Sequence, residues 1–380
     1  MNNTANYWFT IEPYVYVNIV DKYALLYNTL DGTTIESKKT AVITLLNEML
    51  QEENCGVVLL KDKQYKQVDI INFILELREK FMGDIIDINL SKEKPIQVLP
   101  YINYSNKRNK KCNFFELDNL LQSLFEINIH IDKTSNIENI ITYIQTIPSN
   151  AIFNIIKSID DNTDISNLLI FLDKLSSLKN IICSYTHIPF LKKKFKNNFS
   201  YKIYVNFPIN KELWDKSILL IQNQHLSFKY IFNVTSISNV LEAEEYIENF
   251  HINNYQLNPQ YTGNNITFFR KYIFLTKEDI LSTYSSLKDI FIKHLINEHD
   301  FGKIHIMPNG DIYANTNFPM LGNLSTHNIY EIVQKEIQEG QSWLRTRKQE
   351  PCNSCIYQYL CPSPSDYEII IGRLNLCHIK

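Results

Sequence analysis

Hydrophobic and polar residues alternate with period two at 14–20 and 23–27, a pattern that predicts two strands. Asp31-Gly32 then turns the chain into a third short strand at 33–36. Beyond an expected N-cap at Ser37 the spacing becomes helical, with Val42, Leu45, Leu46, Met49 and Leu50 on one face. A strand at 56–60 and a helix over 69–82, stopped by Gly83, complete the first unit, residues 1–93. Strands and helices in this order suggest a winged-helix-like module.

From 94 to 275 the pattern becomes an alternation of strand and helix. Candidate strands lie at 97–102, 128–132, 152–159, 180–185, 201–207 and 228–234, with amphipathic stretches at 165–175, 212–222 and 240–250. Repeated βα units imply an α/β fold on a parallel sheet. Six in series favour a partial (β/α)6 barrel over a flat doubly wound sheet. The last unit, 276–380, begins with a helix over 276–298, where Thr276 and Asp279 have capping-box spacing. Strands at 303–307 and 311–314 flank Pro308-Asn309-Gly310, a hairpin signal, and a helix over 328–339 ends at Gly340.

Composition changes this picture little. The chain has 380 residues, 44% hydrophobic and 21% charged, enough for two or three domains with their own cores. A net charge of -3 gives no general attraction to nucleic acid or to an anionic membrane. The basic runs, Lys107-Arg108-Asn109-Lys110-Lys111 and Lys192-Lys193-Lys194-Phe195-Lys196, read as solvated loops of a lysine-rich chain. The first residues lack the basic start and apolar core of a signal peptide, and no apolar run reaches the ~20 residues of a membrane span. A cytoplasmic protein is expected. No histidine-pair metal motif, nucleophile elbow or phosphate-binding loop occurs, so hydrolase and kinase readings have no support.

The cysteines carry the chemistry. Seven are present, and a disulfide framework is not expected without an export signal. Cys55 and Cys183 read as core residues, and Cys112 as a small hydrophobe. The other four form Cys352-x2-Cys355-x5-Cys361-x15-Cys377. Thiolates gathered without a cation repel one another, so this grouping points to bound metal. Spacing alone leaves zinc and an iron–sulfur cluster nearly equal.

Gly310-Asp311-Ile312-Tyr313-Ala314-Asn315, then Leu321-Gly322-Asn323-Leu324, a helix, and Cys352-Asn353-Ser354-Cys355-x5-Cys361 resemble the SPASM domain that ends many radical-SAM peptide maturases. The resemblance implies that Cys352, Cys355, Cys361 and Cys377 hold one outer auxiliary [4Fe-4S] cluster, with zinc as the alternative. The inner cluster of that domain would need cysteines where this chain has Asn315, Ser365 and, near the hairpin, His299 and Asp300. A radical-SAM enzyme also carries C-x3-C-x2-C after its first strand, where this chain offers only Cys112. The glycine-rich turn for S-adenosylmethionine is replaced by Lys133-Thr134-Ser135-Asn136.

The match is therefore to pseudo-radical-SAM proteins of Gly-Gly-type peptide maturation systems. It implies a non-catalytic protein with no S-adenosylmethionine and no catalytic residues, bound to a precursor peptide and to a partner radical-SAM maturase. The first unit resembles precursor-recognition modules, in which a leader peptide adds as a strand beside the third strand, here 33–36, and a helix, here 69–82. Two further functions stay open: a redox-active iron–sulfur protein feeding electrons to the maturase, and a cryptic S-adenosylmethionine-binding enzyme that modifies peptides.

Overall fold

The computed structural model describes residues 6–91, 93–100, 117–147, 150–157, 164–191, 198–222, 227–339 and 341–379. Nine elements build the first unit: β1 (Tyr7–Ile11), β2 (Val15–Val20), β3 (Tyr23–Asn28), β4 (Thr34–Ser37), α1 (Thr40–Met49), β5 (Val57–Leu60), α2 (Asp62–Tyr65), α3 (Val68–Glu79) and β6 (Gly83–Asp87). They form two antiparallel sheets, ordered β5-β1-β6 and β2-β3-β4. Phe9, Ile11, Val17 and Leu26 from the strands meet Leu46, Phe73 and Leu77 from the helices in one core. Ser37 is not the cap of α1: it ends β4, and Lys39 stands at the N-cap position. Gly83 does not stop α3 but opens β6, the helix having ended at Glu79.

No strand forms in the described part of the stretch expected at 97–102: residues 97–100 carry none, and the rest lies outside the described residues. Leu99 is drawn into the core of the first unit, and the Gln97 amide donates to the Cys55 carbonyl at 2.9 Å. Gly56, at φ +70°, makes room: a Cβ there would stand 2.1 Å from the Gln97 carbonyl oxygen.

The second unit runs β7 (Glu126–Ile131), α4 (Ile137–Ile144), β8 (Ile152–Lys157), α5 (Ser166–Asp173), β9 (Lys179–Ser184), β10 (Ser200–Asn206), α6 (Lys211–Gln222), β11 (Phe228–Val234), α7 (Ile237–Asn249) and β12 (Tyr255–Pro259). All six strands are parallel and lie in the sheet in chain order. A doubly wound sheet reverses its order at a switch point. Here there is none, so right-handed crossovers place the helices on one face. Ile127, Ile129, Phe153 and Ile155 fill the core under α4 and α5, and Ile203, Val205 and Phe232 pack with Trp214 of α6.

The opposite face mixes isoleucines such as Ile182 and Ile231 with two asparagine ladders. Asn128, Asn154 and Asn180 stand in register on β7, β8 and β9; the Asn154 amide donates to Asn128 at 2.9 Å and the Asn180 amide to Asn154 at 2.7 Å. A second ladder, Asn206, Asn233 and Asn258, joins the ends of β10, β11 and β12 at 2.6 and 2.8 Å.

The last unit adds α8 (Ile266–Tyr272), α9 (Lys277–Ser282), α10 (Leu287–Leu295), β13 (Lys303–Ile306), β14 (Asp311–Tyr313), β15 (Gly322–Asn323), α11 (Ile329–Glu339) and α12 (Asp366–Ile371). The single helix expected over 276–298 is two, because Ser286 and Asp289 form a second capping box that restarts the chain as α10. The expected hairpin is present, but it does not stand apart: β13 lies parallel to β7, and β14 and β15 follow antiparallel, extending the sheet to nine strands. No described helix is long and apolar enough to cross a membrane.

Candidate metal centre

The outer face of the β2-β3-β4 sheet carries Tyr16, Leu25 and Tyr27, which pack against Ile280, Ile290, Ile356, Tyr357 and Leu360. This contact brings the cysteine segment onto the first unit. The Asn18 side chain donates to the Ile356 carbonyl at 2.8 Å, and the Tyr357 hydroxyl donates to Glu36 at 2.7 Å.

Each cysteine is fixed by local backbone. Cys352 opens a short 3-10 turn, its amide bonded to the Gln349 carbonyl at 2.9 Å, and the Cys355 amide closes that turn on the Cys352 carbonyl at 3.1 Å. The Cys361 amide reaches the Tyr357 carbonyl at 3.0 Å. Cys377 is held from outside the segment by a parallel bridge with Leu275, whose amide and carbonyl bind Leu376 and His378 at 2.9 Å each.

All four side chains line one cavity of about 430 Å³. None is in a disulfide. Its opposite wall comes from the first unit: Asp21 and Lys22 at the β2–β3 turn, with Val20, Tyr23 and Lys38. Among the described residues, no three histidine, cysteine, aspartate or glutamate side chains are placed to hold a single metal ion. The thiols share a cavity without converging on one point.

Burial pushes the Cys361 thiol up to about 12, against the pull of Arg347, and burial also raises Cys352 and Cys355. Free thiols here stay protonated at neutral pH, so thiolates need a cation among them. Two buried cations stand beside the site. Arg347 donates through one NH1 group to the Cys352 sulfur at 3.6 Å and to Glu368 at 3.0 Å, and its Nε donates to the Pro362 carbonyl at 2.6 Å. Lys293 donates to the Ser285 hydroxyl at 3.1 Å and the Leu360 carbonyl at 3.2 Å.

Of the positions that the resemblance assigns to an inner cluster, Asn315, Asp300 and Ser365 come together in space as a polar network. The Asn315 side chain donates to Asp300 at 3.2 Å and Asp366 at 2.5 Å, and Arg345 donates to Asp300 at 3.4 Å and to the Ser365 carbonyl at 3.2 Å. Hydrogen bonds and an ion pair occupy that place, while His299 is exposed. Among the described residues the loop after the first parallel strand is 132–136, and it holds neither cysteine nor glycine. Its Asp132 accepts from the Thr134 amide at 2.7 Å, and Asn136 caps α4. Cys112 and both basic runs lie outside the described residues. Cys183 is buried in the core as expected, whereas Cys55 sits half-buried in a left-handed turn rather than a strand.

β4 is an edge strand of its sheet. The Lys80 ammonium, just past α3, donates to the Thr34 carbonyl at 2.8 Å and so places that helix end beside the edge.

Sequence reasoning did not single out Arg347, Lys293, Glu36 or Tyr357. Arg347 had a signal, standing five residues before Cys352. A thiolate group calls for nearby positive charge. Compared with known proteins, the chain matches no family model and finds no significant match among curated proteins or solved structures.

Proposed function

We propose that this protein is a non-catalytic pseudo-radical-SAM partner in the maturation of a ribosomally made peptide, carrying one SPASM-type [4Fe-4S] cluster on Cys352, Cys355, Cys361 and Cys377. The observation that carries the reading is the single cavity lined by these four thiols and closed by the β2–β3 turn of the first unit. A structural zinc would draw all four sulfurs to about 2.3 Å from one point. A cluster instead spreads its thiolates over several irons, and zinc is the alternative occupant of the same cavity. When bound, such a cluster supplies a rigid cross-link and a one-electron redox centre. The chain's own residues hold it, surround it with buried cations and exclude water with Tyr23, Ile356 and Leu376.

The rest of the reading follows the same layout. A leader peptide pairs with the edge of β4 beside α3, the strand-addition mode. Six parallel strands in chain order support a degenerate radical-SAM-type partial barrel, and the loop after the first described one lacks the three thiols that would bind a catalytic cluster.

Anaerobic purification followed by iron, sulfide and zinc analysis tests the centre. About four irons and four sulfides per chain are expected; stoichiometric zinc without sulfide overturns the cluster. Calorimetric titration with S-adenosylmethionine tests the loss of catalysis, and saturable binding overturns it.

A second reading, electron delivery to the partner maturase, is favoured by one observation: Arg347 donates to a ligand sulfur, a contact that bears on redox behaviour as well as folding. A Cys352→Ser chain that binds partner and peptide normally but stops modification supports electron delivery over a scaffold.

A further inference from the structure

Arg347 belongs to no simple structural motif. It is almost wholly buried, with a side chain 8% exposed against a Glu368 partner 5% exposed. Its Nε is anchored by the Pro362 carbonyl, and its own carbonyl accepts from the Gln358 amide, so the guanidinium is held from two sides by the segment that carries the cysteines. The same NH1 nitrogen is divided between the Cys352 sulfur and the Glu368 carboxylate. A buried ion pair alone is weak ground for stability. An N–H group turned onto a ligand sulfur has a more specific consequence, because net charge and hydrogen bonds to the sulfurs set iron–sulfur potentials.

We infer that Arg347 and Glu368 form a charge device that tunes the reduction potential of the cysteine centre, Arg347 raising it and Glu368 holding part of that effect back. The inference rests on the cluster proposed above. One-electron reduction adds a negative charge to the cluster and its thiolates, and the guanidinium beside Cys352 stabilises that added charge in a low-dielectric setting. Glu368 takes the other hydrogen of that nitrogen, and its negative charge beside the same guanidinium opposes the effect. Lys293 spends its described hydrogen bonds on Ser285 and Leu360 and none on sulfur, so it supplies background charge rather than a directed bond.

The two partners should therefore act in opposite directions. The test is an anaerobic dithionite titration of the full chain followed by electron paramagnetic resonance, in which dithionite supplies the electron. It is run on wild type, Arg347→Gln, Arg347→Lys and Glu368→Gln, each with its iron and sulfide content. The midpoint is expected to fall in Arg347→Gln, to rise in Glu368→Gln, and to lie closest to wild type in Arg347→Lys. Glutamine at 368 can still accept from the Ser365 amide that caps α12, and circular dichroism alongside the iron and sulfide content checks that each variant compared is folded. Variants with full iron whose midpoints are unchanged, or move in the same direction, overturn the inference and leave the cluster standing. Wild-type protein without iron and sulfide overturns the cluster reading itself.

Discussion

The Tyr357 hydroxyl donates to Glu36 at 2.7 Å, joining residues 321 positions apart in sequence. The same carboxylate takes the Lys277 ammonium at 2.8 Å and the Tyr23 hydroxyl. One glutamate on β4 thus ties the first unit to α9 and to the cysteine segment two residues past Cys355.

Glu36→Gln is expected to cost about 1–2 kcal/mol, the range for charge-assisted hydrogen bonds partly open to water. Burial acts to raise the Glu36 pKa, but the bonds from Lys277, Tyr23 and Tyr357 outweigh it and hold the value below normal. A lowered acid stabilises the fold above its unfolded pKa and loses that contribution as pH falls through the folded value. Urea midpoints of the two proteins should differ at pH 7 and converge in acid. A constant difference down to pH 3 would contradict the assignment.

His305 predicts a separate acid sensitivity. Its Nδ1 lies 3.1 Å from the His130 Nε2, and it faces Lys303 on its own strand and Asp366 on α12. Burial, then His130 and Lys303, lower its pKa from 6.5 to about 4, and burial lowers His130. The unfolded chain binds the proton first, so stability falls as pH drops from about 6.5 to about 4, by at most about 3 kcal/mol from this group. His305→Gln should flatten that slope in chemical denaturation. A slope equal to wild type would place the sensitivity elsewhere.

Gly302 precedes β13 at φ +74°, and a Cβ there would lie 2.3 Å from the Ser123 carbonyl oxygen and 2.4 Å from the Phe125 ring. Gly302→Ala is expected to cost at least the roughly 1–2 kcal/mol of a left-handed alanine. Differential scanning calorimetry reads this directly. Because Phe125 and Glu126 both donate to the Gly302 carbonyl, the disturbance should appear at the β7–β13 pairing in amide exchange.

Cys377→Ser should loosen more than its own loop. Cys377 is clasped to Leu275 just before α9, so loss of the bond to the proposed cluster should raise amide exchange at 275–282 and in the β2–β3 turn across the cavity. Protection unchanged at both places would mean that the centre does not brace the two units.

Much of this architecture could be read from the chain, for identifiable reasons. α1 announces itself because its apolar positions keep one helical period against a single buried face, whereas β2 and β3, buried on both faces, show as short β-branched and aromatic runs ended by turn residues. β12 was passed over since Tyr255–Pro259 is an edge strand whose first two residues are exposed and whose last is proline. Residues 97–102 looked like a strand because Leu99 is apolar, but its burial belongs to the first unit. The asparagine ladders left a signal that an asparagine-rich composition hid: partners recur 25 to 27 residues apart, once per βα unit. The four cysteines were visible as a group through their spacing. Arg347, Lys293 and Glu36 act across distances in space that sequence spacing does not encode.

The cavity's walls are drawn from residues 20–38, from Ile280 and from 347–379, with the whole parallel sheet made in between. Such a chamber is complete only when early and late segments of the chain have met. All four thiols stand on the late wall, so the early segment serves as a cover brought to them from the far side of the sequence.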